Sequence, residues 1–448
     1  MNLLWRIVYR SYRIATWLQY RVERRFTTTG RAVLFGLLAA GIAGLNVEST
    51  VGYQAAMFLS CVLLVAFLGN RFFRAKFSVE RTLPRFGTAG QPFHYTVRVQ
   101  NLTRKRQAGL MLLEEFADPR PAFAEWKAFH LAEGRTMRAF RMSRLRQQSP
   151  FAVAKAQEIE LPALPSGGAM EVKVQLTPLR RGVLRFNGVT IARPDPLGLF
   201  RAFVRVHAPR SVLILPKRYP LPPLALPGTQ EYQDGGVAMA SSVGQSDEFV
   251  SLRDYRRGDP LRHIHWRSWA KTGQPIVKEF EDEYFVRHAL VLDTFSELPH
   301  SELFEEAVSV AASFACAIVT QESLLDLLFV GTQAYCFTAG RGLAHADQML
   351  EILASVRPCV DKSFTALETL VLDHAGAVSG VVCVLLAWDA SRRSFVRKLQ
   401  ALGVPVQVLV IVPAGAGQAL DAGPLCDEPE RLVTLELDRI EQDLLKLR

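Results

Sequence analysis

Four arginines and two aspartates crowd into ten residues of this chain: Arg253, Asp254, Arg256, Arg257, Asp259 and Arg262. Guanidinium groups are planar donors that pair carboxylates or phosphates two bonds at a time. The segment is therefore read as an ion network pinning it to the following domain, or as a surface for a protein or phosphate group. Gly258-Asp259-Pro260 reads as a turn, with the Asp259 carboxylate free to accept backbone hydrogen bonds. His263 and His265 follow, two apart, which on a strand would put both on one face as potential metal ligands. No third ligand lies near them, and an interfacial pair is expected. Two more carboxylates, Asp293 and Asp389, close the apolar runs HALVLD and GVVCVLLAWD, where ligands of parallel sheets gather. The six cysteines include no C-x-x-C pair; Cys316 and Cys383 lie inside apolar runs, fitting a reducing compartment.

Those carboxylates need a sheet to hold them. From His288 onward apolar runs alternate with amphipathic ones, around Ser301–Thr320, Ala346–Val356 and Thr365–Asp373, which predicts a doubly wound α/β domain with helices on both sheet faces. Upstream, FHYTVRVQN, AGLMLLEEF, MEVKVQLTP and GVLRFNGVTI alternate with period two between turn residues, predicting an antiparallel β-sandwich. Within it Asp118–Pro150, rich in Arg and Pro, reads as a long loop.

Nearer the N-terminus, Ala32–Val47 and Val51–Gly69 carry no charge, and Glu48 stands between them. They read as a transmembrane helical hairpin, since about 20 helical residues cross a bilayer core. A cleaved signal peptide is disfavoured by the late start and the second run. Arginines flank both ends, which places both flanks in the cytoplasm. Leu3–Val22 interleaves aromatic and aliphatic residues with arginine and suits an interfacial helix.

The formal charge is +10, and its distribution is uneven: +9 over residues 1–90, +13 over 91–218 and −12 over 219–448. The basic part faces the membrane in this reading, so the charge points to lipid and away from nucleic acid.

Two stretches carry a family resemblance. Arg180–Phe200 (RRGVLRFNGVTIARPDPLGLF) and Asp247–Glu283 resemble the bacterial family called domain of unknown function 58, through Asp195, Pro196, Gly198, Arg253, Tyr255, Gly258, Asp259, Arg262 and Trp266. Asp254 stands where a Glu is usual, and Trp269-Ala270-Lys271 replaces the usual Ala-Arg. The C-terminal layout is similar to the von Willebrand factor A fold, whose Asp-x-Ser-x-Ser motif, threonine and later aspartate hold one Mg²⁺. This chain has Asp293-Thr294-Phe295-Ser296-Glu297, so the resemblance implies a degenerate site of Asp293, Ser296, Thr365 and Asp389. Thr365-x-x-Glu368 also reads as a capping box.

The expected domains are a basic cytoplasmic leader (1–31), the hairpin (32–69), the sandwich (77–217), the signature segment (218–285) and the A-like domain (286–448). No Walker lysine motif, nucleophile elbow or zinc signature occurs, and no catalytic or cofactor-binding residue is assigned. The expected protein is a non-enzymatic, two-pass inner-membrane platform with cytoplasmic domains. The resemblance implies a MoxR-type AAA+ ATPase as partner. The alternatives are a hydrolase or phosphate-processing enzyme using Arg253–Trp266, and a Mg²⁺-dependent adhesion module.

Overall fold

Apolar runs and turn residues set the element boundaries in the computed structural model of the chain, which describes residues 2–44, 50–69, 73, 75–118, 120–136, 153–222, 249–256, 259, 261–280, 287–296, 301–319, 324–339, 343–415 and 420–447. The chain divides into two compact units, one formed essentially by Met1–Lys217 and the other by most of the remainder.

Three helices open the first unit: α1 (Asn2–Arg25), α2 (Thr28–Ala43) and α3 (Thr50–Gly69). Thr27 caps α2, its hydroxyl accepting the Gly30 N–H at 3.0 Å. The helices α2 and α3 pack on each other, and Gly44 and Gly52 let their facing ends approach: a Cβ on Gly52 would lie 2.9 Å from the Gly44 nitrogen. By length and composition α3 is long and apolar enough to cross a membrane; α2, with 16 residues, is shorter than such a helix. Glu48 and the turn expected around it lie outside the described residues.

Among the described residues nine strands follow: β1 (Phe77–Thr82), β2 (Phe86–Thr88), β3 (Phe93–Asn101), β4 (Leu110–Phe116), β5 (Ala154–Ala156), β6 (Ile159–Leu161), β7 (Ala169–Pro178), β8 (Gly182–Pro194) and β9 (Arg201–Leu215). They form two sheets, ordered β1-β3-β7-β5 and β2-β9-β8-β4-β6. Alternate residues point inward, and Val97, Val99, Leu112, Val174, Leu184, Phe186, Ile191 and Ile214 from both sheets share one core. The pairs are antiparallel except β2 with β9. Part of the expected loop at 118–150 is instead a helix, α4 (Phe123–Thr136), because Trp126 is buried against α1.

A polar knot sits inside this core. Arg81 pairs Glu114 with both side chains fully buried, Nη2 lying 2.5 Å from Oε2, and Tyr95 donates its hydroxyl to Glu114 at 2.7 Å. A bulge between Phe186 and Gly188 turns the Gly188 carbonyl to Arg81, at 2.6 Å. Burial and the neighbouring carboxylate push the Tyr95 hydroxyl far above its usual range, so it stays a donor.

In the second unit β10 (Phe249–Asp254) and β11 (Ile276–Phe280) form an antiparallel hairpin that encloses a 3₁₀ turn at Leu261–His263 and the short helix α5 (Trp266–Thr272). Then come β12 (Arg287–Leu292), α6 (Glu302–Val319), β13 (Leu324–Val330), β14 (Ala334–Ala339), α7 (Leu343–Ser355), α8 (Thr365–His374), β15 (Gly380–Leu385), α9 (Ala390–Ala401), β16 (Val406–Val412), β17 (Leu432–Glu436) and α10 (Ile440–Leu444). Their six-stranded sheet runs β14-β13-β12-β15-β16-β17, parallel throughout except for the β13–β14 hairpin. One face carries α8 and α9 over Val291, Cys383 and Val410. The alternate residues Leu290, Val382 and Leu409 are equally buried on the other face, where α6 packs with Phe304, Val308 and Ala311. The sequence order of the strands reverses between β12 and β15, the place where parallel sheets of this kind commonly take their ligands.

Candidate functional site

Three constellations of predicted residues form in the structure. The first is the loop Asp195–Phe200 between β8 and β9. Asp195, 7% exposed, accepts hydrogen bonds from the N–H groups of Leu197 (3.0 Å), Leu199 (2.7 Å) and Phe200 (2.6 Å). Gly198 takes φ +67°, which a side chain would resist. So folded, the loop turns its carbonyls toward the helices. Thr27 donates its N–H to the Leu199 carbonyl at 3.1 Å and its hydroxyl to the Gly198 carbonyl at 2.6 Å. The Phe26 and Phe200 rings meet at 4.5 Å. A Cβ on Gly30 would sit 2.0 Å from the Leu199 oxygen, and one on Gly69 would sit 3.7 Å from the Pro196 ring. The motif thus clamps the start of α2 and touches the end of α3.

The second lies at the carboxyl edge of the large sheet, at the strand-order reversal. Asp293 is fully buried; Oδ1 accepts the Phe295 N–H at 3.0 Å, and Oδ2 accepts the Leu386 N–H at 3.1 Å. Arg392, from the first turn of α9, places Nε 2.7 Å from Asp293 Oδ2 and Nη1 2.6 Å from Asp389 Oδ2. Asp389 also caps α9, accepting the Arg392 N–H at 3.0 Å. The guanidinium lies 4.8 Å from the centre of the Phe364 ring. Burial works against its charge, the two carboxylates favour it, and the balance raises its pKa. A guanidinium stands where a cation shared by Asp293 and Asp389 would stand, and this donor set does not fit a divalent ion. Thr365 is exposed, with its hydroxyl 2.5 Å from that of Ser363. It opens α8 without a side-chain cap, so the expected capping box does not form; Glu368 pairs with Lys398 at 2.6 Å. Among the described residues no group of three His, Cys, Asp or Glu could hold a metal ion.

The third is the β10–β11 hairpin. Arg253 grips Asp259 with both terminal nitrogens, at 2.7 and 2.8 Å, and the Arg256 N–H adds 2.8 Å. Those bonds, the Arg253 pair foremost, hold the Asp259 carboxyl down at about 2. Tyr255 ties the base of the hairpin through its N–H to the Pro275 carbonyl at 2.9 Å. Gly258 lies outside the described residues. The histidines do not share a strand face. His263 ends the 3₁₀ turn, with Arg262 Nε 3.1 Å from its Nε2, and His265 precedes α5, with Nδ1 2.6 Å from the Ser268 hydroxyl. Ile264 is buried between the two half-buried histidines; Trp266 is 64% exposed and stacks on Trp269 at 5.2 Å. Leu252 and Leu261 are exposed on the same module.

Arg392 carries one local signal, since an arginine three residues after a helix-capping aspartate can reach back to it. Thr27 stands one helical turn before the first apolar run, and no local pattern shows the loop that it bonds. Nothing in the sequence marks Arg81 and Glu114 as partners.

The structure is that of a mixed α/β protein with several sheets and, among the described residues, one helix long and apolar enough to span a membrane. Residues 251–445 match the family model described as "Protein of unknown function DUF58", so a domain of that family is found there. Among curated proteins, "Uncharacterized protein YeaD" of Bacillus subtilis (strain 168) is 27% identical over 190 residues, 42% of this chain and 46% of that protein, so the match spans about half the relative's length. Solved structures include the CARDB domain of PF1109 from Pyrococcus furiosus (10% identity, TM-score 0.17, covering 31% of this chain and 94% of that one). Salmonella alpha-2-macroglobulin mutant Y1175G is similar at 15% identity and TM-score 0.19, over 34% of this chain and 8% of that one. Likeness at that level carries no argument.

Proposed function

We propose that the protein is a non-enzymatic platform, anchored in the bacterial inner membrane by α2 and α3, that docks a partner protein through the β10–β11 module in the cytoplasm. The observation that carries this reading is the module's surface. Trp266 and Leu261 are 64% and 68% exposed, on a scaffold stiffened by the Arg253–Asp259 pair. An exposed tryptophan stacked on a second one, with an exposed leucine in the same arginine-rich segment, has the composition of a binding hot spot. The partner implied by the family resemblance is a MoxR-type AAA+ ATPase.

The ionised state of Asp259 supports the non-enzymatic reading over the hydrolase. A carboxylate held near 2 by Arg253 is a poor general base at neutral pH. In a domain similar to the von Willebrand factor A fold, Arg392 supplies as a fixed side chain the positive charge that Mg²⁺ would bring, which counts against the adhesion-module reading. Calorimetry at millimolar Mg²⁺ is expected to show no heat, and heat lost on Asp293→Ala would restore that reading.

The test of docking is affinity purification of the full chain from detergent-solubilised membranes. An AAA+ ATPase is expected to co-purify, and Trp266→Ala to weaken its retention about 30-fold or more, as hot-spot truncation does. Repeated preparations lacking any ATPase would sink this partner.

A further inference from the structure

The helix α1 is two-sided, and only one side belongs to the fold. Trp5, Tyr9, Tyr12 and Thr16 recur at one helical face and are half-buried. Tyr9 donates its hydroxyl to the Pro121 carbonyl at 2.8 Å, and the rings of Trp5, Tyr9 and Tyr12 lie 5.9, 5.4 and 5.7 Å from Trp126. Leu3, Ile7, Ile14 and Leu18 recur at the same spacing on the opposite face and are exposed. The helix carries six arginines and a single acid, Glu23.

Its C-terminal turns end at a cleft of about 210 Å³, lined by Tyr20, Arg21, Arg24 and Arg25 with Phe203 and Arg205 of β9. Arg24 is oriented by the Tyr20 hydroxyl (2.7 Å), the Glu114 carbonyl and Glu115 (3.5 Å), and Arg205 Nε lies 3.1 Å from Glu115. Arg21 and Arg25 rest on the rings of Trp17 and Phe203, at 4.4 and 5.7 Å, and meet no carboxylate among the described residues. Four guanidiniums thus line the cleft, and two of them, Arg24 and Arg205, share one carboxylate. The cleft is smaller than the usual small-molecule pocket of roughly 300 Å³ or more, and Arg25 stands three residues before α2.

We propose that this cleft binds the phosphate of an anionic lipid headgroup, with α1 lying along the bilayer surface and its Leu3–Leu18 face among the acyl chains. The inference rests on the anchoring proposed above. Continuity supports lipid as the source: the apolar face of α1 leads through Arg21, Arg24 and Arg25 directly into the apolar helices, so the cleft falls where headgroups lie. Planar donors match a phosphate, and amphipathic helices with arginine at the polar edge bind anionic interfaces.

The experiment is native mass spectrometry of the full chain in detergent micelles, titrated in parallel with phosphatidylglycerol, phosphatidylcholine, glycerol 3-phosphate and inorganic phosphate. The wild type is expected to retain phosphatidylglycerol over phosphatidylcholine by tenfold or more. Each arginine is worth about fivefold at an anionic surface, so Arg21→Gln with Arg25→Gln is expected to weaken retention about 25-fold. The Lys pair at those positions, which keeps the charge, is expected to recover most of it. Equal retention of the two lipids, or by wild type and the Gln pair, overturns the proposal. Binding of glycerol 3-phosphate or inorganic phosphate as tightly as the lipid overturns lipid as the source. Carbonate washing of membranes separates the two readings: a chain that stays in the pellet without lipid preference is anchored but has no headgroup site, and a chain that washes off is not anchored.

Discussion

Arg392 illustrates what one buried side chain commits a domain to. Asp293 is wholly enclosed and its charge is balanced by that single guanidinium. Truncation leaves an uncompensated carboxylate, so Arg392→Ala is expected to cost about 3–5 kcal/mol in urea unfolding of the full chain. Pairing it with Asp293→Asn should recover much of the loss, since the buried charge is then gone. His288 offers a pH-dependent counterpart. It is fully buried on β12, neither ring nitrogen has a hydrogen-bond partner among the described residues, and burial pulls its pKa down to about 4. Above about pH 6.5 the ring is neutral whether folded or not, and its contribution is complete. As pH falls from 6.5 toward 4 the unfolded chain takes up the proton first, and up to about 3 kcal/mol of stability is lost. His288→Leu should flatten the urea midpoint over that window; an unchanged slope would show that another group governs it.

At the scale of elements, the loop Asp195–Phe200 and the first turn of α2 work as one joint. Thr27→Ala removes the cap and the bond to the Gly198 carbonyl, at a cost of about 1 kcal/mol for the cap alone. Gly30→Ala is expected to be worse, because its Cβ meets the Leu199 carbonyl. Hydrogen exchange at the amides of Gly30 and Arg31 should speed up in both variants, and more in the second; equal rates would mean that the joint does not depend on this contact.

The joint also shows how far the sequence could be read. Asp195, Pro196 and Gly198 stood out only through the family resemblance, which gave them no structural role; the turn they make appears in the structure. What the turn touches depends on Thr27, some 170 residues away, and no local pattern links them. The strands β3, β4, β7 and β8 were legible because one face of each is buried and period two survives in composition. Helix α4 was not, since it is held by Trp126 against α1 and lacks an amphipathic stripe of its own. Asp293 was legible as a strand end, whereas Asp389, expected to close a strand too, lies past the end of β15 at Leu385 and caps α9. Their partner was not, because the resemblance directed attention to absent hydroxyls and Arg392 satisfies the carboxylates by a different chemistry.

Across the whole molecule, basic residues gather in the first half of the chain and acidic ones in the second, with net charges of +9, +13 and −12 along it. In the proposed reading the basic first unit meets lipid and the acidic second unit meets the partner. The length of α2 then bears on which membrane suits the protein. At 1.5 Å per residue its 16 residues reach about 24 Å, against about 30 Å for α3 and for an average hydrocarbon core. Arg31 stands in its first turn, which is held in place by the Asp195–Phe200 loop, so the helix cannot slide to gain length. A hairpin with one short leg and a fixed base is matched by a thinner bilayer, or by lipid that thins around it. Reconstitution into vesicles of graded acyl length should therefore give an optimum below the usual thickness, and that preference would bias where in a heterogeneous membrane the protein collects.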